Sequence, residues 1–484
     1  MSEPRPSSER WAVESMEALV VRQREAFLAE LPVPVASRLS RIDRAIDVLI
    51  RNDDRIAEAV DSDFGCRPRA FSRFVEAAAS VAGLKHARKR LERWMKPERR
   101  SLDFPLGLLG ARARVEFVPK GVVGIISPWN FPFYLTFGPL TGAMAAGNRV
   151  MIKPSEHTPA TSALMAELIG SAFDEDEVAV CEGGPEVGQA FSGLPLDHLL
   201  FTGGTAIGRH VMRAAAEHLV PVTLELGGKS PAVVGRSADL ERAAQSIAVG
   251  KLMNAGQICI APDYAFVPGE RLEDFIAAAE KHIRAAYPNL RDNPEYTSVI
   301  DDRHFQRLQR AVDEARSAGA EVREINPAGE DLSDGAHRKL APTVVIDPAD
   351  SLVLMREEIF GPVLPIKGYR HIDDVIGYVN RGQRPLSLYY FGRDDEERKR
   401  VLERTISGGA TLGEVMVHAL MEGLPFGGVG ASGFGAYHGI DGFRTFSHHR
   451  SVFKAPWLNM WKLLGLLPPY GKTLTRTIDK ELKA

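Results

Sequence analysis

Cysteine is scarce: the 484 residues hold three, Cys66, Cys181 and Cys259. So small and odd a number excludes a disulfide framework and fits a reducing compartment. Long apolar runs are missing as well. No stretch approaches the roughly 18 residues of a membrane span, and residues 1–20 are polar with no apolar signal-peptide core, so a cytoplasmic protein is expected. Neither charge sign dominates: 60 Lys and Arg against 63 Asp and Glu leave a formal net charge of -3, which gives no polyanion-binding signature. The locally basic run from Arg88 to Arg100 has no interleaved stacking aromatics and no matching second patch. It reads as a solvated helix face, and no nucleic-acid partner is expected. Internal repeats and low-complexity segments are absent.

What is present fits a globular chain, 44% hydrophobic and 25% charged, long enough for two large domains. Residues 10–97 place apolar side chains at helical spacing in RIDRAIDVLIRNDDRIAEAV and FVEAAASVAGLKHARKRL, which predicts covering helices. From residue 121, short β-rich runs alternate with helical ones: GVVGIIS, RVMIKP, EVAVCEGG, DHLLFTGG and VPVTLEL. Five such runs predict a parallel, doubly wound sheet. A second α/β series starts near Pro231, with strands in PAVVGR, YAFVPGE, APTVVID and LSLYYFG and helices over ERLEDFIAAAEKHIRAAY and DDVIGYVNRG. The stretch Ser101 to Lys120 ends in hairpin-like alternation, and FRTFSHHRSVFK is the segment expected to pair with it as an arm or bridge.

Two residues define a chemistry. Cys259 in NAGQICIAPDY follows a small, flexible turn sequence rather than sitting among periodic apolar neighbours, as a core cysteine would; Cys66 and Cys181 read as core cysteines. Glu225 lies in VTLELGGKSP. A thiolate adds to a carbonyl carbon and leaves as a thioester, and a carboxylate nearby activates the water that cleaves it. Asn130 in PWNFP follows a strand. Its amide and a backbone N–H would supply the two donors that an oxyanion needs, although an Asn between prolines is also an ordinary turn residue. In MIKPSEH a strand ends at Lys153 with Glu156 on the following loop, placed either for ribose hydroxyls or for nothing more than an exposed lysine and a capping glutamate. FTGGTAIG opens a helix after a strand, as a phosphate site does, but without G-x-G-x-x-G spacing it is weak evidence alone. No His or second Cys stands at ligand spacing around Cys259, and His448 and His449 are adjacent rather than on one face, so no metal site is expected.

Taken in order and at these separations, PWNFP, IKPSE, FTGGTAIG, LELGGKSP, NAGQICIAPDY, EEIFGPV and LPFGGVGASG resemble the aldehyde dehydrogenase superfamily over about residues 40 to 455. DFGCR, RPLSLYYFG and FGAYHGIDGFRTFSH look most like its class 3 and coniferyl aldehyde dehydrogenase branch. The resemblance implies an α/β aldehyde dehydrogenase fold: a Rossmann-like NAD-binding domain over 1–226 with a bridging hairpin at about 101–120, a catalytic domain over 227–425, and a C-terminal oligomerisation arm and tail over 426–484. It implies that Cys259 is the nucleophile, that Asn130 and the Cys259 N–H hold the oxyanion, and that Glu225 is the base for thioester hydrolysis. NAD is implied as cofactor, with NADP as the alternative. Trp129, Lys153, Glu156, Thr202, Gly203, Gly204 and Gly208 would face it, and Glu358 and Phe360 would hold the nicotinamide ribose and ring. Relatives that transfer the acyl group to coenzyme A usually lack the matching glutamate, so hydrolysis to a free acid is expected.

The sequence departs from that branch at Leu412, Gly413 and Glu414, where relatives read more like I-N-D. His418 reads as a structural hydrogen-bonding residue. The apolar cluster from Trp457 to Leu467 is too short to cross a bilayer. It is expected to cover a partner subunit or the substrate entrance, with peripheral membrane contact as the sharper alternative. The implied protein is a homodimeric, NAD-dependent dehydrogenase of an apolar or aromatic aldehyde, coniferyl-like or of medium to long chain. The competing readings are an NADP-using semialdehyde dehydrogenase and a silent scaffold on the same fold; retention of both Cys259 and Glu225 weighs against the scaffold.

Overall fold

The computed structural model describes residues 11–104, 106–332, 335 and 337–483. The polar residues 1–10, Pro105 in the expected hairpin and Ala484 of the tail lie outside them. Long helices come first: α1 (Val13–Glu30), α2 (Val35–Arg51), α3 (Asp53–Phe64) and α4 (Ser80–Trp94). On α2 the buried residues Arg38, Arg41, Ile42, Ala45, Ile46 and Leu49 recur at the 3.6-residue period that marks a covering helix. Between α3 and α4 the chain passes through a π-helical stretch, Arg73–Ala79, which periodicity did not foretell.

After a hairpin of β1 (Glu98–Arg100) and β2 (Arg112–Pro119) come β3 (Val122–Ile126), β4 (Arg149–Lys153), β5 (Val178–Val180), β6 (His198–Thr202) and β7 (Val222–Glu225). They pair in the order β7-β6-β3-β4-β5, all parallel, as the five β-rich runs predict. Helix α5 (Tyr134–Ala146) follows β3 and α6 (Thr205–Ala216) follows β6. Strand β4 is buried throughout, and a strand covered on both faces reads as a continuous apolar run instead of an alternating one.

The second sheet contains β8 (Pro231–Val234), β9 (Tyr264–Pro268), β10 (Glu321–Glu324), β11 (Thr343–Ile346), β12 (Val363–Tyr369), β13 (Ser387–Phe391) and β14 (Gly409–Leu412), with α7 (Leu240–Leu252) between β8 and β9. Their spatial order is β10-β11-β12-β9-β8-β13-β14. The sequence marks β8, β9, β11 and β13. It hides β12, because Pro365 argues against a central strand, yet β12 pairs in parallel with β11 on one side and β9 on the other. A short β15 (Gly433–Phe434) extends the first sheet antiparallel to β7. Finally β16 (Ser447–Lys454) pairs with β2 from Ser447 opposite Pro119 to Lys454 opposite Arg112, the pairing expected of the arm.

Beyond the arm, Trp457, Trp461, Leu466, Leu467 and Tyr470 are exposed around two short helices, Met460–Leu463 and Lys472–Glu481. Among the described residues no helix is long and apolar enough to cross a membrane.

Candidate active site

The carboxyl ends of β3, β4, β6 and β7 deliver Trp129 and Asn130, Lys153, Thr202 and Glu225 to one edge of the first sheet. That edge is where open parallel sheets bind ligands. The second sheet contributes from the opposite ends of its strands: the turn 226–229 enters β8, Cys259 precedes β9, and Glu358 and Phe360 precede β12. The two groups meet: Asn130 Nδ2 donates to the Gln257 carbonyl at 3.1 Å, and the Trp129 and Phe360 rings stand edge to face at 5.4 Å.

The turn that presents Cys259 is held in an unfavourable backbone conformation. Asn254 (φ 51°), Ala255 (φ 50°) and Gly256 (φ 74°) follow one another in the left-handed region, which costs a non-glycine residue roughly 1–2 kcal/mol. Gln257, fully buried, sustains it: Nε2 donates to the carbonyls of Asn254 (2.9 Å) and Ser298 (3.0 Å), and Oε1 accepts from Ile300 N (2.9 Å). At Gly256 an added Cβ would lie 2.2 Å from the Gly361 carbonyl, so only glycine fits. The expectation of a flexible turn is therefore corrected: its residues are small because the turn is tightly enclosed. Cys259 is partly exposed and unpaired, and Cys181 is a buried core residue as read. Cys66 is not a core residue; it is half-buried, with Sγ 3.6–3.9 Å from the carbonyls of Asn293, Pro294 and Tyr296.

Charge is suppressed throughout this pocket. Burial pushes the Cys259 thiol well above its ordinary range, and Glu358 and Glu225 push it further. Burial likewise raises Glu225, both of whose carboxyl oxygens are enclosed without a hydrogen-bond partner. Burial, with Asp263 adding, lifts Glu358 to about 8, against the Gly228 N–H, Lys229 and Lys251, which lower it. Glu358 leans on the backbone at Gly227, where an added Cβ would meet its Oε2 at 1.9 Å. Beneath it Lys229 binds Asp263 and donates to the carbonyls of Leu354 (2.6 Å) and Glu357 (3.0 Å). Burial dominates at all three groups, and the two carboxyls add to it at Cys259, so each ionises only at a cost.

The adjoining cleft fits a dinucleotide. Gly204 caps the N-terminus of α6, with nothing within 4 Å of where its Cβ would be. The Thr202 hydroxyl is buried and unpartnered, as is Glu358 Oε1. Lys153 Nζ donates to the Pro154 carbonyl (2.7 Å) and to Glu156 Oε2 (3.4 Å), and Glu156 itself faces solvent. Gly208, on the first turns of α6, packs against Leu226. An open helix N-terminus, free hydroxyl and carboxyl oxygens and an exposed carboxylate suit phosphates and ribose hydroxyls.

His418 is a hydrogen-bonding residue, as its sequence context indicated: Nε2 contacts Ser387 Oγ (3.1 Å) and Nδ1 contacts Thr411 Oγ1 (2.7 Å). At the divergent segment, Glu414 accepts from Ser246 of α7 and from Val415 N (3.0 Å). A carboxylate thus ties this loop to the helix that leads into Cys259. Sequence reading overlooked Arg67 and Glu76, an ion pair with both side chains wholly buried behind Asn130. The signal was a lone carboxylate among the apolar residues of FVEAAASV, a stretch read only as helix. Among the described residues no three His, Cys, Asp or Glu side chains gather to hold a metal.

The model of the aldehyde dehydrogenase family matches residues 8–452. A probable coniferyl aldehyde dehydrogenase of Caulobacter vibrioides is 53% identical, over 97% of each chain. A coniferyl aldehyde dehydrogenase of a Pseudomonas species is 52% identical, over 95% of each. The solved substrate-bound AldH of Staphylococcus aureus superposes with a TM-score of 0.88 at 35% identity, covering 97% of this chain and 99% of that one.

Proposed function

Because the chain belongs to the aldehyde dehydrogenase family, we propose that it oxidises an aromatic or other apolar aldehyde of the coniferyl type to the free acid, with Cys259 as nucleophile. The observation that carries this reading is the convergence of a partly exposed thiol with a buried, unpartnered carboxyl group, Glu225, at the junction of the two sheets.

Cys259 Sγ passes its proton to solvent water, and the thiolate bonds to the carbonyl carbon as the C=O π pair moves onto the oxygen, which takes the negative charge. Asn130 Nδ2 and the Cys259 backbone N–H are the donors for that oxygen. A nicotinamide dinucleotide, when bound, supplies the acceptor for the hydride that this carbon gives up. Gly203, Gly204 and the start of α6 would hold its phosphates, Glu156 and Lys153 the adenosine ribose, and Glu358 with Phe360 the nicotinamide end. Glu225 then takes a proton from water as that water's oxygen attacks the thioester carbon; the C–S bond breaks, and the acid and the Cys259 thiolate are released. The raised pKa of Glu225 makes it a stronger base than an exposed carboxylate once ionised. NAD is the preferred dinucleotide, because Glu156 would repel a 2′-phosphate.

Incubation with coniferyl aldehyde and NAD in heavy-oxygen water tests this reading. One heavy oxygen in the product carboxylate is the expected result, and acid formed only as a thioester of added coenzyme A would contradict hydrolysis. The exposed apolar tail supports assembly as a homodimer in which it covers the partner. Sedimentation of the full chain against one ending at Lys454 tests the dimer, and co-sedimentation with lipid vesicles tests the competing membrane contact.

A further inference from the structure

Behind the Asn130 loop lies the wholly buried ion pair that the mechanism does not use. Arg67 Nη2 stands 3.0 Å from Glu76 Oε1, with both side chains inaccessible to solvent. Each partner also reaches the loop. Arg67 Nη1 donates to the Asn130 carbonyl at 3.0 Å. Glu76 Oε2 accepts from the backbone N–H groups of Phe133 (3.0 Å) and Tyr134 (3.1 Å). These are open amides at the start of α5, whose cap position, Phe133, has no capping side chain. One line of polar contacts therefore runs from the Asn130 carbonyl through Arg67 and Glu76 to the helix that ends the loop.

The surroundings leave the pair little freedom. The Arg67 guanidinium lies over the rings of Phe131 (4.8 Å), Phe64 (5.0 Å) and Phe71 (5.5 Å), and Arg67 N donates to Asp61 Oδ1 at 2.7 Å. Glu76 sits in the π-helical stretch Arg73–Ala79, where an extra residue per turn re-aims side chains; such bulges recur at functional sites. On its other side Asn130 is tied to the cysteine turn, its Nδ2 to the Gln257 carbonyl and its carbonyl to Asn254 Nδ2 at 3.5 Å.

We propose that Arg67 and Glu76 are positioning residues, a buried clamp that sets the Asn130 amide against the oxygen bound at Cys259. The proposal rests on the reading of Asn130 as an oxyanion donor. A guanidinium is suited to the task because two separate nitrogens face the two groups, Nη1 the Asn130 carbonyl and Nη2 the Glu76 carboxylate, which the single nitrogen of an ammonium cannot do in the same geometry.

The test uses the full-length enzyme and the variants Arg67→Lys, Glu76→Gln and Asn130→Ala, alone and with Arg67→Lys and Asn130→Ala combined. Arg67→Lys keeps the charge opposite Glu76, and Glu76→Gln keeps an acceptor for the α5 amides, so either serves if the other fails to fold. A misplacement of the order of 1 Å predicts a fall in kcat of roughly tenfold to a hundredfold with KM changed far less. The double variant separates positioning from general support: once the Asn130 amide is gone, Arg67→Lys should lower kcat by less than about twofold, because coupled residues are non-additive. Wild-type kcat in both Arg67→Lys and Glu76→Gln, or the same fold-loss with and without the Asn130 amide, would overturn the clamp. If Asn130→Ala itself keeps wild-type kcat, the oxyanion reading falls first and the clamp falls with it.

Discussion

Asn130 Nδ2 donates to the carbonyl of Gln257, two residues ahead of Cys259, at 3.1 Å. This bond uses one hydrogen of the amide, and the proposed mechanism gives the second to the oxygen that becomes charged during attack. Asn130→Ala is therefore expected to lower kcat with coniferyl aldehyde by about 10²–10³, while dinucleotide affinity, followed by fluorescence titration, stays near wild type. An alanine variant with full kcat would show that the amide serves only the turn.

Glu225 has both carboxyl oxygens buried and unpartnered, and burial raises its pKa above the ordinary carboxylate range. Only the ionised form accepts a proton, so hydrolysis should accelerate as pH rises through that raised value and slow as pH falls below it. Glu225→Gln should keep a first-turnover burst of reduced nicotinamide but lose steady turnover by about 10²–10⁴, with the pH-dependent limb gone. A variant that shows neither a burst nor a change in pH profile would assign the water activation to another group.

Much of this arrangement is legible along the chain. The five parallel strands announce themselves as apolar runs because both faces of that sheet are covered, and Cys259 stands out because no apolar periodicity surrounds it. The features that escaped are those set by distant partners. Pro365 disguises a central strand. Nothing near Arg67 or Glu76 in sequence reveals that the loop at 130–134 will fold over them, since those contacts span 57 to 63 residues. Likewise the turn at 254–256 reads as flexible, because the Gln257 bonds and the Gly361 carbonyl that fix it come together only in three dimensions.

Glu156 projects into solvent beside Lys153 at the edge where the adenosine ribose is assigned. Removing its charge by Glu156→Gln should raise the ratio of kcat/KM for NADP over NAD by on the order of tenfold, because the proposed preference for NAD rests on repulsion of a 2′-phosphate. An unchanged ratio would place cofactor choice elsewhere.

Two buried histidines should weaken the fold in acid. Burial and then Lys120 hold His198 at about 3, and burial and then His418 hold His438 at about 4, against about 6.5 for a free imidazole. Because the folded values are depressed, the neutral rings contribute stability that is present above about pH 6.5 and lost as pH falls toward the folded values. Tm measured by calorimetry should decline from pH 6.5 to 4, and His198→Gln should flatten that decline. An equally steep decline in the variant would trace it to other groups.

The most direct test of the central claim is the formation of reduced nicotinamide from coniferyl aldehyde and NAD by the wild-type chain and by Cys259→Ala, each checked for fold by circular dichroism. The account predicts steady turnover in the wild type and loss of essentially all of it in the folded variant. Turnover that survives the loss of the thiol, or a wild-type chain that oxidises no aldehyde at all, would contradict it.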